Sequence, residues 1–226
     1  MRNWERLRTA AWAAATMHLV AGAAMVCILR KGLATNPDLV SRLRFITEQP
    51  VSWTVAWLCW NAAALTILYF FVCLFRVNES DSGRLLFPLM LVTAAVAADL
   101  SAGAIAMGVW PEVAAQGLRV GSPAMGQFEV LDRTVTMLTG YLANGLYTLA
   151  TVLAVWSTRN DYPCAVWLAG LGVGVAGTAL SIAALYDSVL ALVWSNALLV
   201  PCIVVWQIGV AITAGKRARA LGSWQA

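Results

Sequence analysis

Residues 85–110 read LLFPLMLVTAAVAADLSAGAIAMGVW, an almost unbroken apolar run with one carboxylate, Asp99, near its middle. A helix rises about 1.5 Å per residue, so a run of this length crosses a hydrocarbon core of about 30 Å. A charged group at that depth is costly, and such residues usually face the bundle interior and a functional partner. The run therefore predicts a membrane-spanning helix with a candidate functional residue at its centre.

The composition of the whole chain favours a membrane protein. Of its 226 residues, 61% are hydrophobic and only 12% are charged, and the mean hydropathy is +0.74. Soluble domains carry about 25% charged residues, so a soluble fold could not cover this much apolar surface. The formal charge of +4 does not form the basic stripe that nucleic-acid binding requires. The five cysteines stand singly, without a CxxC pair, so neither a zinc site nor a redox dithiol is indicated. We expect no cofactor, because a single histidine cannot provide bis-histidine haem ligation and both lysines lie outside the apolar runs, away from a retinal site.

Five further apolar runs accompany the first and predict a single all-α domain, a polytopic bundle of six transmembrane helices. The predicted spans are residues 9–29, 51–75, 85–110, 133–156, 164–186 and 189–214. A tight turn is expected at Tyr186-Asp187-Ser188, and a short interfacial helix around residues 39–46. Residues 112–132 are predicted to be an irregular loop, because glycines and Pro123 interrupt them. The first span resembles a signal peptide, but the apolar sequence continues through Leu29, so we expect it to be retained.

Lys and Arg divide unequally between the two sides of such a bundle. The side with both termini holds nine of them: Arg2, Arg6, Arg8, Arg76, Arg84, Arg159, Lys216, Arg217 and Arg219. The other side holds six: Arg30, Lys31, Arg42, Arg44, Arg119 and Arg133. Because Lys and Arg accumulate on the cytoplasmic side, both termini are predicted to lie in the cytoplasm.

Tryptophans near the ends of the spans are predicted to form interfacial belts. The belt residues are Trp53, Trp57 and Trp110 on the outer side and Trp12, Trp156 and Trp167 on the inner side. An alternative for Trp53, Trp57 and Trp60 is an apolar wall above a ligand pocket, next to Asn61.

Polar residues of several spans fall at one depth when positions are converted to heights along the helices. His18, Asn61, Asp99, Asn144 and Asn196 each lie about 12–18 Å from the outer edge of their span. Most of them are therefore near the middle of the membrane. This layer is predicted to be either a set of interhelical hydrogen bonds or a polar cavity that binds a substrate, a proton or a lipid head group.

The helical faces around these residues refine the hypothesis. Small residues surround His18 and Asp99, which favours close helix packing and inward-facing polar groups. A His18–Asp99 pair would respond to protons near neutral pH. Arg133, Tyr141 and Asn144 lie along one face and predict a polar stripe that descends from the outer surface.

Two alternative functions rest on other parts of the chain. Residues 172–177 match GxGxxG, but they lie inside a membrane helix, where this fingerprint does not bind a dinucleotide. Gly170, Gly174 and Thr178 instead indicate a small-residue packing seam, through which a partner subunit or a second copy could dock. A membrane-embedded enzyme acting on a lipid or isoprenoid would use Asp99, Asp132 or Glu129 as acid or base. The absence of paired carboxylates at one depth favours a non-enzymatic protein without catalytic residues.

The second half of the chain resembles a bacterial family of six-helix membrane proteins known as a domain of unknown function. Residues 128–133 (FEVLDR), residues 140–147 (GYLANGLY) and the double span that follows carry the resemblance. It implies a bacterial inner membrane and no particular mechanism.

The sequence thus predicts a protein that binds or translocates a small molecule in a midplane polar pocket. Its candidate ligand-binding residues are Asp99, His18, Asn61, Asn144, Asn196, Trp57, Tyr141 and Arg133.

Overall fold

The computed structural model describes residues 2–78, 83–119 and 124–222, and every regular element within these ranges is helical. Six stretches of helix are long and apolar enough to cross a membrane. The all-α, six-helix fold class is therefore confirmed. The long helices are α1 (Arg2–Cys27), α3 (Pro50–Val77), α4 (Gly83–Gly108), α8 (Cys164–Leu185), α9 (Val189–Gly222) and a composite of α6 (Ala124–Thr136), a π-helical segment (Met137–Ala143) and α7 (Asn144–Ser157).

Local sequence signals explain several helix ends. Pro50 occupies the first turn of α3, where its missing N–H costs nothing. Between α8 and α9, Asp187 has a φ of 56°, a left-handed conformation that Asp tolerates, and this residue forms the predicted turn. Asp38 caps α2 (Leu39–Glu48) by accepting hydrogen bonds from the Ser41 hydroxyl at 2.5 Å and the Ser41 amide at 3.2 Å. These bonds stabilise the carboxylate and lower the pKa of Asp38 below its usual value.

The expectation of an irregular loop over residues 112–132 is wrong. Helix α5 spans Trp110–Gly117, and α6 already begins at Ala124, well before Arg133. The inner faces of these two helices bury Trp110, Ala114 and Phe128. Burial of these apolar side chains favours helix formation more than the neighbouring glycines oppose it. The predicted breaks at Gly121 and Pro123 lie outside the described residues.

The long helices form a closed ring. Each packs against the long helices before and after it in the chain, and α9 packs against α1. Arg217 of α9 stacks over Trp4 of α1 at 4.8 Å, which places the start of α1 and the last turns of α9 at one end of the ring. We call this the terminal end.

The opposite end of the ring is closed by the short helices α2 and α5 together with α6, the first part of the composite helix. We call these three helices the cover. Trp53 contacts Trp110 at 5.4 Å between ring centroids, and Trp110 stacks on Phe128 at 5.7 Å. The Trp53 indole N–H donates to the Ala106 carbonyl at 2.7 Å. The predicted outer tryptophan belt is wrong, because Trp53, Trp57 and Trp110 are only 0–3% exposed and pack beneath the cover.

Candidate functional site

Asp99 faces the interior of the ring, as predicted. It is 4% exposed, and its neighbours along the same face of α4 are the buried residues Ala95, Ala102, Gly103 and Ala106. The absence of bulky side chains on this face lets α4 approach its neighbours closely. The carboxylate therefore lies within the bundle rather than toward lipid.

Two aromatic side chains from neighbouring helices approach the Asp99 carboxylate. They are Tyr147 of α7 and Trp60 of α3. Neither Asp99 Oδ1 nor the Tyr147 hydroxyl oxygen completes a hydrogen bond of normal geometry, although both atoms are buried. Unsatisfied buried polar atoms are costly, so these two call for an explanation beyond packing.

Asn61 of α3 joins this group one helical turn further along α4. A methyl group placed on Gly103 would lie 2.5 Å from Asn61 Oδ1, so the amide rests directly on the glycine. Asn61 Oδ1 is also buried without a hydrogen-bond partner. We call Asp99, Trp60, Asn61 and Tyr147 the midplane group.

The depth of this group agrees with the layer predicted from residue counting. On α4, Asp99 separates Val96, in the apolar cluster of the terminal end, from Ala102, in the cluster beneath the cover. On α3, Asn61 separates Ala64 from Trp57 in the same way. The group thus occupies the junction between the two halves of the core.

His18 lies at a similar depth but in another part of the ring. Its Nδ1 is 2.8 Å from the Ala14 carbonyl oxygen, to which it donates, and 3.5 Å from Gln207 Nε2 of α9. The predicted His18–Asp99 pair is wrong, because the side chain of His18 points toward α9, whereas Asp99 faces α3 and α7. Residue counting gave the depth of each group but not its position around the ring.

The predicted stripe of Arg133, Tyr141 and Asn144 faces α8 and does not line a cavity. Asn144 Nδ2 donates to the Gly177 carbonyl at 2.7 Å and to Ser181 Oγ at 2.8 Å. Tyr141 is 42% exposed, and its carbonyl accepts a hydrogen bond from Ser181 Oγ at 3.4 Å. The stripe is therefore an interhelical seam.

Arg133 closes the end of α8. Its guanidinium donates to the carbonyls of Ala184 at 2.6 Å and Leu185 at 2.8 Å, and to Asp187 Oδ1 at 3.1 Å. Cations commonly satisfy the free carbonyls at helix C-termini. This explains Arg133 as a helix cap rather than as an entrance to a pocket.

Trp57 and Asn196 have separate surroundings. Trp57 belongs to the aromatic cluster beneath the cover, and its indole nitrogen is buried without a hydrogen-bond partner. Asn196 lies half-buried in α9, on the face that continues toward Val210. Neither side chain contacts the Asp99 carboxylate through a hydrogen bond.

Sequence reasoning does not place Tyr147 or Trp60 beside Asp99, and it misses the π-helical segment Met137–Ala143. Tyr147 follows Asn144 by three residues, and the two side chains point to different neighbours, α4 and α8. Trp60 was considered only as part of an apolar wall next to Asn61. Single π-helical turns often occur at functional sites, and this segment ends four residues before Tyr147.

Three residues on inward helix faces are only half-buried, although residues of the same helices nearer the terminal end are buried. On α1, Leu7 and Ala14 are fully buried, whereas His18, on the same face, is half-buried. On α9, Val210 is buried, whereas Asn196, two heptads earlier, is half-buried. Trp60, between the buried Trp53 and Ala64 on α3, is also half-buried. Other residues on the cover side of Asp99 are packed tightly, since Trp53, Trp57, Ala102 and Ala106 are at most 3% exposed.

The glycine seam of α8 is occupied within the bundle. Gly170 lies against Val155 and Gly174 against Val152, both from α7. Gly177 contacts Thr148 of the same helix. The prediction that a partner docks through this seam is therefore wrong, because side chains of α7 already fill it.

The carboxylates considered for an enzyme are separated in the structure. Asp132 pairs with Arg42 in the cover at 2.5 Å, and Glu129 is exposed on the same helix. Within the described ranges no group of three or more His, Cys, Asp and Glu residues could hold a metal ion. Asp99 thus stands apart from the other candidate acids.

Comparisons of the chain with protein-family models, with curated proteins and with solved structures give no match. The resemblance to a bacterial six-helix family therefore stays a prediction.

Proposed function

We propose that this membrane protein binds a small molecule with a cationic, hydrogen-bond-donating group, and that Asp99 holds this group in the middle of the bundle. The observation that carries the proposal is the buried Asp99 carboxylate, whose Oδ1 has no hydrogen-bond partner. An ionisable group within the membrane is a functional candidate by default.

The charge balance around Asp99 supports a cationic ligand. The half-buried carboxylate of Asp132, by contrast, has Arg42 as its counter-ion. Tyr147 and Trp60 are the side chains that interact with Asp99, and both are neutral. A bound cation would supply the missing positive charge and complete the hydrogen bonding of Oδ1.

The chemistry of the neighbouring groups fits the same ligand class. Asn61 Oδ1 offers a second unsatisfied acceptor close to Asp99 along α4. Trp60 and Tyr147 add aromatic rings, a kind of group that binds organic cations. A protonated amine matches this combination, because it carries both the positive charge and N–H donors.

The packing of the ring favours binding over passage through the bundle. Phe70, Ala150 and Trp206 fill the terminal end and are at most 3% exposed, and Trp53 and Ala102 on the cover side are fully buried. Translocation would require this terminal-end cluster to separate. Binding is therefore the function proposed.

Native mass spectrometry of the protein released from its own membranes tests the proposal. We expect wild-type protein to retain a small molecule, and Asp99→Asn to lose it while accumulating to the same folded level. Ser101→Ala, which removes a hydroxyl on the exposed face of the same helix, is the control and should retain the molecule. The absence of any retained molecule from wild type, or its retention by Asp99→Asn, would refute the proposal.

We further propose that the protein resides in a bacterial inner membrane with both termini in the cytoplasm. The excess of Lys and Arg on the side of the termini, nine against six, supports this orientation. Reporter fusions to the C-terminus, active only in the cytoplasm or only outside it, would decide the orientation. Activity of the external reporter alone would reverse the assignment.

A further inference from the structure

We propose that the terminal ends of α1 and α3 form a binding site for the phosphate of an anionic phospholipid, held between Arg6 and Arg76 beside Tyr69. This site is separate from the midplane group and does not depend on the function proposed for Asp99.

The geometry of the two helices brings these residues together. Tyr69, Cys73 and Arg76 are spaced four and three residues apart and so share one face of α3. Asn3 Nδ2 of α1 donates to the Arg76 carbonyl at 3.5 Å, which ties the start of α1 to the end of α3. Arg6 follows Asn3 by three residues on the same face of α1.

Both guanidinium groups interact with the same two side chains of α3. Arg6 and Arg76 each interact electrostatically with the Tyr69 hydroxyl and with the Cys73 thiol. Cys73 is buried, whereas Tyr69 is 48% exposed. Both cations therefore lie near the exposed Tyr69 side chain, whose hydroxyl also interacts with the Cys73 thiol.

Neither arginine has a carboxylate partner among the described residues. Other arginines do form ion pairs: Arg8 with Glu5, Arg42 with Asp132, Arg133 with Asp187 and Arg217 with Asp161. Arg6 and Arg76 are both exposed, and each retains the planar fork of donors that suits a phosphate. Two such groups beside a hydroxyl provide positive charge and directed hydrogen bonds for one phosphate.

The surface that continues from this point identifies a lipid rather than a free anion. Leu58, Leu65, Tyr69 and Arg76 form one stripe along α3, with successive spacings of seven, four and seven residues. Leu58 is 52% exposed and Leu65 is 50% exposed. An acyl chain lying along these leucines would place its headgroup at Arg76 and Arg6. Tyr69 marks the boundary between the two parts, as interfacial tyrosines do.

Lipid titrations followed by native mass spectrometry test this site. The probes are dioleoyl-phosphatidylglycerol, dioleoyl-phosphatidylcholine and inorganic phosphate, added to delipidated wild-type protein in neutral detergent. We expect preferential binding of phosphatidylglycerol and, for Arg6→Gln/Arg76→Gln, affinity for this lipid that is weaker by about tenfold. Arg219→Gln, which removes an exposed arginine elsewhere at the terminal end, is the control and should bind like wild type.

A conservative pair of variants separates specific recognition from general attraction. Arg6→Lys/Arg76→Lys keeps the charge but loses the planar fork, so we expect affinity between those of wild type and the glutamine variant. Equal binding of phosphatidylglycerol by wild type and Arg6→Gln/Arg76→Gln would overturn the proposal. An equal loss of binding in Arg219→Gln would also overturn it. Competition by inorganic phosphate at concentrations similar to the lipid would show a free-anion site and would reject the lipid.

Discussion

Arg42 Nη2 donates to Asp132 Oδ2 at 2.5 Å, joining α2 to α6 within the cover, and the two side chains are only 9% and 14% exposed. Arg42 also donates to the Gly32 carbonyl at 3.1 Å and lies over the Phe128 ring at 5.3 Å. The cover is thus held by a paired charge with satisfied hydrogen bonds, whereas the Asp99 carboxylate below it has no such partner.

Removal of one member of this pair is expected to destabilise the protein strongly. Arg42→Met leaves the Asp132 carboxylate buried and unpaired, which typically costs about 3–5 kcal/mol. The double variant Arg42→Met/Asp132→Leu should lose clearly less free energy of unfolding than Arg42→Met, because no uncompensated charge remains. Free energies of unfolding in mixed micelles would measure both.

The exposed Arg44–Glu48 pair on the same helix α2 is the control. Its side chains are 62% and 64% exposed, so Glu48→Gln should change the free energy of unfolding by less than about 1 kcal/mol. If Arg42→Met proved no more destabilising than Glu48→Gln, the ion pair would not hold the cover.

Substitution of Gly103 is expected to displace Asn61. A methyl group at Gly103 would meet Asn61 Oδ1 at 2.5 Å, and overpacking of this kind typically costs about 1–3 kcal/mol. Gly103→Ala should therefore lower stability, and adding Asn61→Ala should restore part of it. Thermal unfolding in detergent would measure the coupling between the two positions.

Gly108 of the same helix gives a matched comparison, because a methyl group there would meet nothing within 4 Å. Gly108→Ala should be neutral or slightly stabilising. Equal destabilisation by Gly103→Ala and Gly108→Ala would show that contact with Asn61 is not the cause.

Asn144 and Asp99 are expected to separate stability from ligand binding. Asn144→Ala loses hydrogen bonds to Gly177 and Ser181, and such interhelical bonds contribute about 0.6 kcal/mol on average, up to about 1.7 kcal/mol. It should lower the free energy of unfolding but leave retention of the bound small molecule unchanged. Asp99→Asn should do the reverse, because neutralising an unpaired buried carboxylate removes its desolvation cost. If fully folded Asn144→Ala protein lost the bound small molecule, this separation of stability from ligand binding would be contradicted.

The cap of α2 is expected to depend on pH. The folded pKa of Asp38 lies below its usual value of 3.8 because Ser41 donates to the carboxylate. The cap's contribution is therefore present above the unfolded pKa and is lost as pH falls through the lowered folded pKa. Hydrogen exchange at the Ser41 amide should show this loss in wild type. Asp38→Asn should keep the cap without titrating, so the same loss in that variant would exclude Asp38 as its cause.

The apolar periodicity of the chain predicted what depends on local composition. Six spans, the turn at Asp187 and the inward face of Asp99 all follow from hydropathy and from small residues at helical spacing. The depth of Asp99 and Asn61 also follows, because a helix rises by a constant amount per residue. The six-helix bundle and the inward position of Asp99 are therefore predictable from the sequence.

Only the tertiary structure decided which polar groups meet. His18, Asp99 and Asn144 lie on inward or interhelical faces, but the closed ring turns them toward α9, toward α3 and α7, and toward α8, respectively. Trp60 and Tyr147 became part of the site because they belong to the two helices that flank α4. Hydrophobic periodicity specifies how far each helix is buried and which of its sides faces inward. Which polar side chains contact each other depends instead on the order of the helices around the ring and on close contacts such as that of Asn61 with Gly103.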